Sequence, residues 1–217
     1  MKYIYLVSFL FFSTIVFSQK KVIKKFETNL QEVEISTIGL DNFVLENSPS
    51  GFIEIILFAE NPNEKHILFK EENNVIQLEF IIEELQSEET IFRKFITKRL
   101  QRASVVVKIP KGKKVTIFGE NINIESKNYQ GDLAVFIDEG IVKFNEVKAN
   151  TSVKLYEGNI YATLKNTNIN VTSNTGKIQI DNILHEKRYQ KESEKNQKNF
   201  TVTSLKANIY LTTQKPQ

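Results

Sequence analysis

Apolar residues alternate with polar ones through most of the chain, and from residue 115 onward the alternation repeats with a fixed period. Val135, Val153 and Val171 are 18 residues apart, and so are Gly140, Gly158 and Gly176. Ile124, Val142, Ile160 and Ile178 keep the same spacing, and Ile117 precedes Val135 by the same interval. Period-two alternation puts one face of a strand inward and leaves the other in solvent. A longer period in fixed phase is the signature of stacked coils. The pattern therefore predicts an all-β chain, a single-stranded β-helix (β-solenoid) with 18-residue coils. Each coil holds a strand, a sharp corner, a second strand and a polar return loop. The predicted core stacks are Ile117/Val135/Val153/Val171 and Ile124/Val142/Ile160/Ile178. Gly140, Gly158 and Gly176 mark the corners, where positive φ is reached without steric penalty. Asn121 lies near the corresponding corner of the first coil.

A last coil is expected at Phe200–Leu211. Val202 follows Val171 by 31 residues, one period plus 13 inserted residues that fall in the polar stretch 185–199. That stretch reads as a solvated excursion or a recognition loop. From Lys20 to about Leu100 the alternating runs persist without the period: Val33/Ile35, Phe43/Leu45, Ile53/Ile55/Leu57 and Ile76/Leu78/Phe80. They read as irregular N-terminal coils continuous with the solenoid, with Val33–Leu45 resembling one later coil. A separate small sandwich is the alternative. The expected division is 1–18, 19–102 and 103–217.

Residues 90–101 break the pattern. Ile91, Phe92, Phe95, Ile96 and Leu100 recur at helical spacing, after an acidic run and within a basic one, predicting a short helix. Arg93, Lys94, Lys98, Arg99 and Arg102 are candidate binding residues for an anionic glycan or membrane surface. A lid over the flank of the sheet, with solvated cations, is the other reading.

Residues Met1–Gln19 combine one early lysine, an apolar run and small Ser18, the pattern of a secretory signal cut after Ser18. The run is too short to favour a spanning helix. The chain has no cysteine, so neither disulfides nor a thioether-linked lipid anchor are available. The expectation is a chain exported to the periplasm or cell surface, not a lipoprotein, with no transmembrane segment once the signal is removed. Its 217 residues carry a formal net charge of +3, too balanced to predict a nucleic-acid partner.

The signal-like start, loose N-terminal strands, the strand ending Val107-Lys-Ile-Pro110 and the glycine-marked repeats together resemble the putative adhesin family of exported bacterial proteins. Some relatives are labelled as adhesin heads of autotransporters, and the leader and composition are similar to Bacteroidetes proteins. The resemblance covers 105–211 well and the earlier part loosely. It implies a β-solenoid and no catalytic residues; the partner is left open, with an envelope glycan or protein as the candidates.

Enzymatic chemistry finds little to stand on. His66 and His185 lie off the repeat strands, no HExxH or GGxGxD occurs, and no metal or cofactor is expected. A hexapeptide acyltransferase helix would need small apolar residues every sixth position; Val135, Ile141, Val147 and Val153 comply, while Asn159, Lys165 and Lys177 do not. A polysaccharide lyase or hydrolase would need a groove cluster, and the nearest feature is Glu139 stacked over Glu157. The expected function is an exported, non-catalytic adhesin-like, scaffolding or envelope-interaction module, with a carbohydrate-active enzyme as the alternative. Thr172, Tyr161, Lys143 and Lys154 belong to its outward set.

Overall fold

Leu133, Val135 and Ile137 are buried at odd positions, but Val142 and Phe144 at even ones. The same change of phase separates Thr151, Val153 and Leu155 from Ile160, Ala162 and Leu164. A strand that turns a corner must slip by one residue to keep its apolar side inward, and both of these strands do so at a glycine. Gly140 and Gly158 lie in register, with φ of +142° and +135°. A Cβ on Gly158 would stand 1.9 Å from the Gly140 carbonyl oxygen, and one on Gly140 would stand 2.0 Å from that of Ile122. Close approach of stacked backbones, together with φ, requires glycine there.

The computed structural model describes residues 20–82, 103–193 and 198–214. The expected signal segment, the expected helix at 90–101 and Arg93, Lys94, Lys98, Arg99 and Arg102 all lie outside these residues. Among the described residues the strands are β1 (Lys20–Glu27), β2 (Glu32–Ser36), β3 (Asn42–Asn47), β4 (Phe52–Ala59), β5 (Ile67–Glu72), β6 (Val75–Phe80), β7 (Ser104–Ile109), β8 (Lys114–Asn121) and β9 (Asn123–Lys127). They continue as β10 (Leu133–Phe144), β11 (Thr151–Lys165), β12 (Asn168–Ser173), β13 (Ile178–Ile180), β14 (Ile183–His185), β15 (Arg188–Lys191), β16 (Asn199–Ser204) and β17 (Asn208–Gln214). One 3-10 turn, Glu64–His66, precedes β5.

All 17 strands belong to one sheet. It is folded into two limbs that face each other across a common apolar core. The first limb runs β5-β6-β2-β8-β10-β11-β16-β12-β15. The second runs β1-β4-β7-β3-β9-β10-β11-β17-β13-β14. The long strands β10 and β11 cross from one limb to the other. The result is a mixed, nearly closed, barrel-like sheet.

This corrects the single-stranded β-helix expected from the period. Strands of such a helix pair in parallel with those one coil before and after. Here β1-β4-β7, β5-β6, β12-β15 and β13-β14 are antiparallel. The 18-residue offset joins only the coils built from β8-β9, β10 and β11. Beyond β11 the order in space departs from the order in sequence. Val153 pairs with Val202, and Val202 with Val171; Ile160 pairs with Ile209, and Ile209 with Ile178. The final coil is thus inserted between its two predecessors. At the other end Ile35 pairs with Ile117 and with Leu78, so strands from both halves of the chain share one sheet. The inward residues Ile117, Val135, Val153, Val171, Ile124, Val142, Ile160 and Ile178 are all buried. Burying each such aliphatic side chain contributes about 1.5–3 kcal/mol.

Two tight hairpins account for much of the departure. Asn73-Asn74 and Asp181-Asn182 have positive φ at both central residues, the type I′ geometry that joins antiparallel strands in two residues. Every non-glycine residue with positive φ among the described residues is Asn or Asp, the types whose short polar side chains tolerate that region. The stretch 185–199, expected as a solvated excursion, instead supplies β15, which with β14 forms a terminal antiparallel rung. Gly176 differs from its expected role: its φ is not positive, yet an added Cβ would fall 1.9 Å from the Ala207 carbonyl oxygen. Asn121 also lacks positive φ.

Candidate functional site

In register, outward side chains stack into columns about 4.8 Å apart from rung to rung. On the first limb, Phe118 and Phe136 stack with ring centroids 5.5 Å apart, and the Lys154 ammonium lies 5.4 Å from the Phe136 ring centre. Thr203 and Thr172 follow in the same column. Four positions toward the strand starts stands an amide ladder. Asn150 donates to Asp132 Oδ1 (3.2 Å), the Asn199 backbone N–H donates to Asn150 Oδ1 (3.0 Å), and Asn168 donates to Asn199 Oδ1 (3.0 Å). Between ridge and ladder runs a column of small side chains: Thr116, Ala134, Ser152 and Thr201. A depression of about 210 Å³ lies over the last three, bounded by the ladder and Lys114. A second, of about 330 Å³, lies beyond the ridge against Asp138, Tyr156 and Leu205. Phe118 and Tyr156 are 43% and 49% exposed, large values for aromatic rings on a sheet face.

The second limb carries a different column: Glu125, Lys143, Tyr161, Tyr210 and Gln179. Lys143 bridges to Glu125 at 3.2 Å, and the two tyrosine rings stack at 5.1 Å with 11° between planes. Stacked this way, the rings turn their faces to each other and their edges to solvent. Asn159-Ile-Tyr-Ala-Thr163 and Asn208-Ile-Tyr-Leu-Thr212 lie side by side in register. Asn208 donates to Asn159 Oδ1 at 3.1 Å.

Glu139 does stand over Glu157. The neighbour on the far side is Lys206, which bridges Glu157 at 3.3 Å, because the corner between β16 and β17 occupies the rung where Thr175 was expected. That hydrogen bond to Glu157 raises the Lys206 pKa above the usual lysine value. The carboxylate pair is therefore balanced by a cation, as an ordinary surface ladder would be. His66 is half-buried in the 3-10 turn, where Nδ1 accepts from the Asn63 backbone N–H at 3.2 Å. His185 lies on β14 opposite Ile178 and tilts against Tyr189, with centroids 4.5 Å apart. The two histidines therefore stand at opposite ends of the sheet, on β5's flank and on β14. Among the described residues no three His, Asp or Glu side chains gather as a metal-binding group.

Two buried groups are structural. The Lys113 ammonium donates to the carbonyls of Thr28 (3.2 Å) and Leu30, and burial holds its pKa below the usual lysine value. Tyr129 donates to the Lys113 carbonyl at 2.7 Å, and burial pushes its phenol well above the ordinary tyrosine range. Together they fasten the β1-β2 loop to the start of β8.

Of the outward residues expected from sequence, Lys154 joins the Phe118/Phe136 ridge, Thr172 the same column two rungs on, and Lys143 and Tyr161 the opposite limb. The ridge and the small-residue column were overlooked. Their signal was present: Phe118, Phe136 and Lys154 obey the 18-residue spacing, as do Thr116, Ala134 and Ser152.

No protein-family model matches the chain, and no curated protein does. Solved structures do. A putative cell adhesion protein from Clostridium sporogenes superposes with a TM-score of 0.63 at 13% identity, over 92% of this chain and 100% of that one. The two share a fold. Putative adhesins from Bacteroides fragilis and Parabacteroides distasonis align over 91% of this chain and 98% of theirs, each at 10% identity. Their TM-scores of 0.39 and 0.33 are too low to argue a common fold from them. No helix among the described residues is long and apolar enough to cross a membrane.

Proposed function

We propose that this protein is an exported, non-catalytic, adhesin-like module of the cell envelope, related to the putative adhesins. The observation that carries the reading is the first limb's outer face. There an exposed aromatic ridge, an amide ladder and two shallow depressions are held on a sheet with a largely apolar interior. Exposed aromatic groups beside satisfied polar ones mark interaction surfaces rather than ordinary solvent-facing sheet. The fold shared with a putative cell adhesion protein supports it, as does the signal-like pattern of residues 1–18. The ladder Glu139/Glu157/Lys206 weighs against a catalytic carboxylate dyad, because Glu157 is held in an exposed surface ion pair with Lys206 rather than set in a cleft.

Fractionating the producing cells and sequencing the mature N-terminus tests export; the expected terminus is Gln19. Incubating the purified protein with envelope fractions of those cells tests adhesion. Retention on the envelope without release of soluble fragments is expected. Recovery of an uncleaved cytoplasmic chain, or progressive degradation of an envelope polymer, would overturn the reading.

A further inference from the structure

We infer that the trough over Ala134, Ser152 and Thr201 binds an extended, uncharged oligosaccharide lying across the strands. The inference rests on the adhesin-like reading and names the partner of that face. The floor consists of small outward side chains on successive rungs, Thr116, Ala134, Ser152 and Thr201. Each rung advances about 4.8 Å, close to what one pyranose ring adds to an extended glycan. Sugar units can therefore repeat in step with the protein's own ladder.

Hydrogen-bonding chemistry matches along the ladder wall. Carboxamides and hydroxyls each offer both donors and acceptors, as sugar hydroxyls do. The ladder is already aligned by its internal bonds, Asn150 to Asp132 at 3.2 Å and Asn199 to Asn150 at 3.0 Å, so little ordering is left for binding to supply. On the other side of the floor, the stacked Phe118 and Phe136 rings turn apolar edges outward, with the Lys154 ammonium beside them, offering apolar contact for sugar C–H groups and a donor for hydroxyls. Charge argues for a neutral ligand. Lys114 is bridged to Glu32 at 3.3 Å, and the Asp132 carboxylate on one wall is offset by the Lys154 ammonium on the other, so the trough presents balanced charge rather than a field of one sign. The depression is shallow: about 210 Å³ falls below the roughly 300–1,000 Å³ of pockets that enclose a drug-sized ligand. One or two sugar rings fit such a volume, with the remainder of a chain running along the column.

The test is calorimetric titration of the purified protein with cellotriose, maltotriose and triacetylchitotriose, and with trigalacturonate as a charged counterpart, at low and high salt. Binding of at least one neutral trisaccharide, unchanged by salt, is expected. Ser152→Phe, which fills the trough from a solvent-facing position, is expected to weaken that binding at least about tenfold. Ala134→Tyr obstructs the next rung independently, and unchanged melting of either variant confirms the fold. Tyr161→Ala, on the opposite limb, should leave affinity unchanged. The inference is overturned if no neutral trisaccharide binds, if only trigalacturonate binds in a salt-sensitive way, or if both obstructing variants bind normally. Should the protein still be retained on envelope material while no trisaccharide binds, the partner is a different one, such as a protein, and the adhesin-like reading survives. Loss of both sinks both.

Discussion

Four glycines separate the two reasons a glycine can be required. Gly51 has neither positive φ nor any atom within 4 Å of an added Cβ. Gly112 has φ of +84° and equally open surroundings. Gly176 has no positive φ, but its Cβ would lie 1.9 Å from the Ala207 carbonyl oxygen. Gly158 has both problems: φ of +135° and the Gly140 carbonyl oxygen at 1.9 Å. Alanine at Gly51 should be neutral or stabilising by about 0.4–1 kcal/mol, through a less disordered unfolded chain. Alanine at Gly112 meets backbone strain alone, about 1–3 kcal/mol.

At Gly158 the new methyl collides with backbone that cannot rotate away. Restoring contact distance means parting β10 from β11 by more than an ångström, which weakens the ladder on both sides of the corner. Two neutral hydrogen bonds at about 1 kcal/mol each, added to the strain, give about 3–5 kcal/mol. For a domain of this size that lowers Tm by roughly 2–4 °C per kcal/mol, or about 10 °C altogether. Gly176→Ala should fall between Gly112 and Gly158. Urea unfolding followed by circular dichroism reads the series as shifts in midpoint at constant slope. If Gly158→Ala is no worse than Gly112→Ala, the stacked backbones are not in contact at the corner, and the rung spacing argued above is wrong.

Other consequences are open to simple measurement. The chain has no cysteine, so introduced pairs report on strand order cleanly. Ser152→Cys with Thr201→Cys, on adjacent strands, should oxidise to a disulfide, because bridged Cα atoms lie about 4.4–6.8 Å apart. Ser152→Cys with Asn170→Cys, two rungs apart, should stay reduced; the reverse result would restore sequential order. Val153→Asp puts an unpaired carboxylate in the core and should destabilise by more than about 4 kcal/mol, seen as loss of the strand signal in circular dichroism. Glu54 receives hydrogen bonds from Lys25 (2.6 Å) and Lys108 (3.0 Å), which hold its pKa below the usual carboxylate value. A depressed folded-state pKa gives stability that is complete above the unfolded pKa and is lost as pH falls through the folded one. Glu54→Gln should therefore narrow the difference in urea midpoint between neutral and acid pH; an unchanged difference would refute the assignment.

Facing was legible in the sequence, and pairing was not. Alternation marked Val135, Val153, Val171 and Ile178 as inward, and each is buried. Nothing in alternation says which strand lies beside which. Asn170-Val-Thr172 and Thr201-Val-Thr203 present the same inward valine between outward polar residues, so either could stack on Ser152-Val-Lys154. The sheet takes the second. The hairpin turns Asn73-Asn74 and Asp181-Asn182 were visible as residues, but their dihedrals depend on strands that pair only in the fold. The candidate face was hidden for a related reason. A ridge and a trough exist only once rungs are aligned, and outward residues follow the period less strictly than the inward ones.

The inserted final coil explains how the far end of the sheet is finished. Strands β12 and β13 do not dock on β11; they stand one rung beyond it, and β14 and β15 close over them in antiparallel sense. The gap is filled by β16 and β17, which bond to β11 on one side and to β12 and β13 on the other. The last regular strands of the described chain are thus interior, with both edges satisfied, and the outermost rung is short and antiparallel. An end closed this way presents two brief strands, the charged Arg188–Lys191 and the three-residue Ile183–His185 with exposed Ile183 and Leu184, rather than a long parallel edge. Exposed parallel edges invite pairing with other chains, and short charged ones resist it. The same insertion completes the candidate trough. Asn199 and Thr201 come from β16, while Asn150 and Ser152 come from β11, so floor and ladder become continuous only when the final coil is in place.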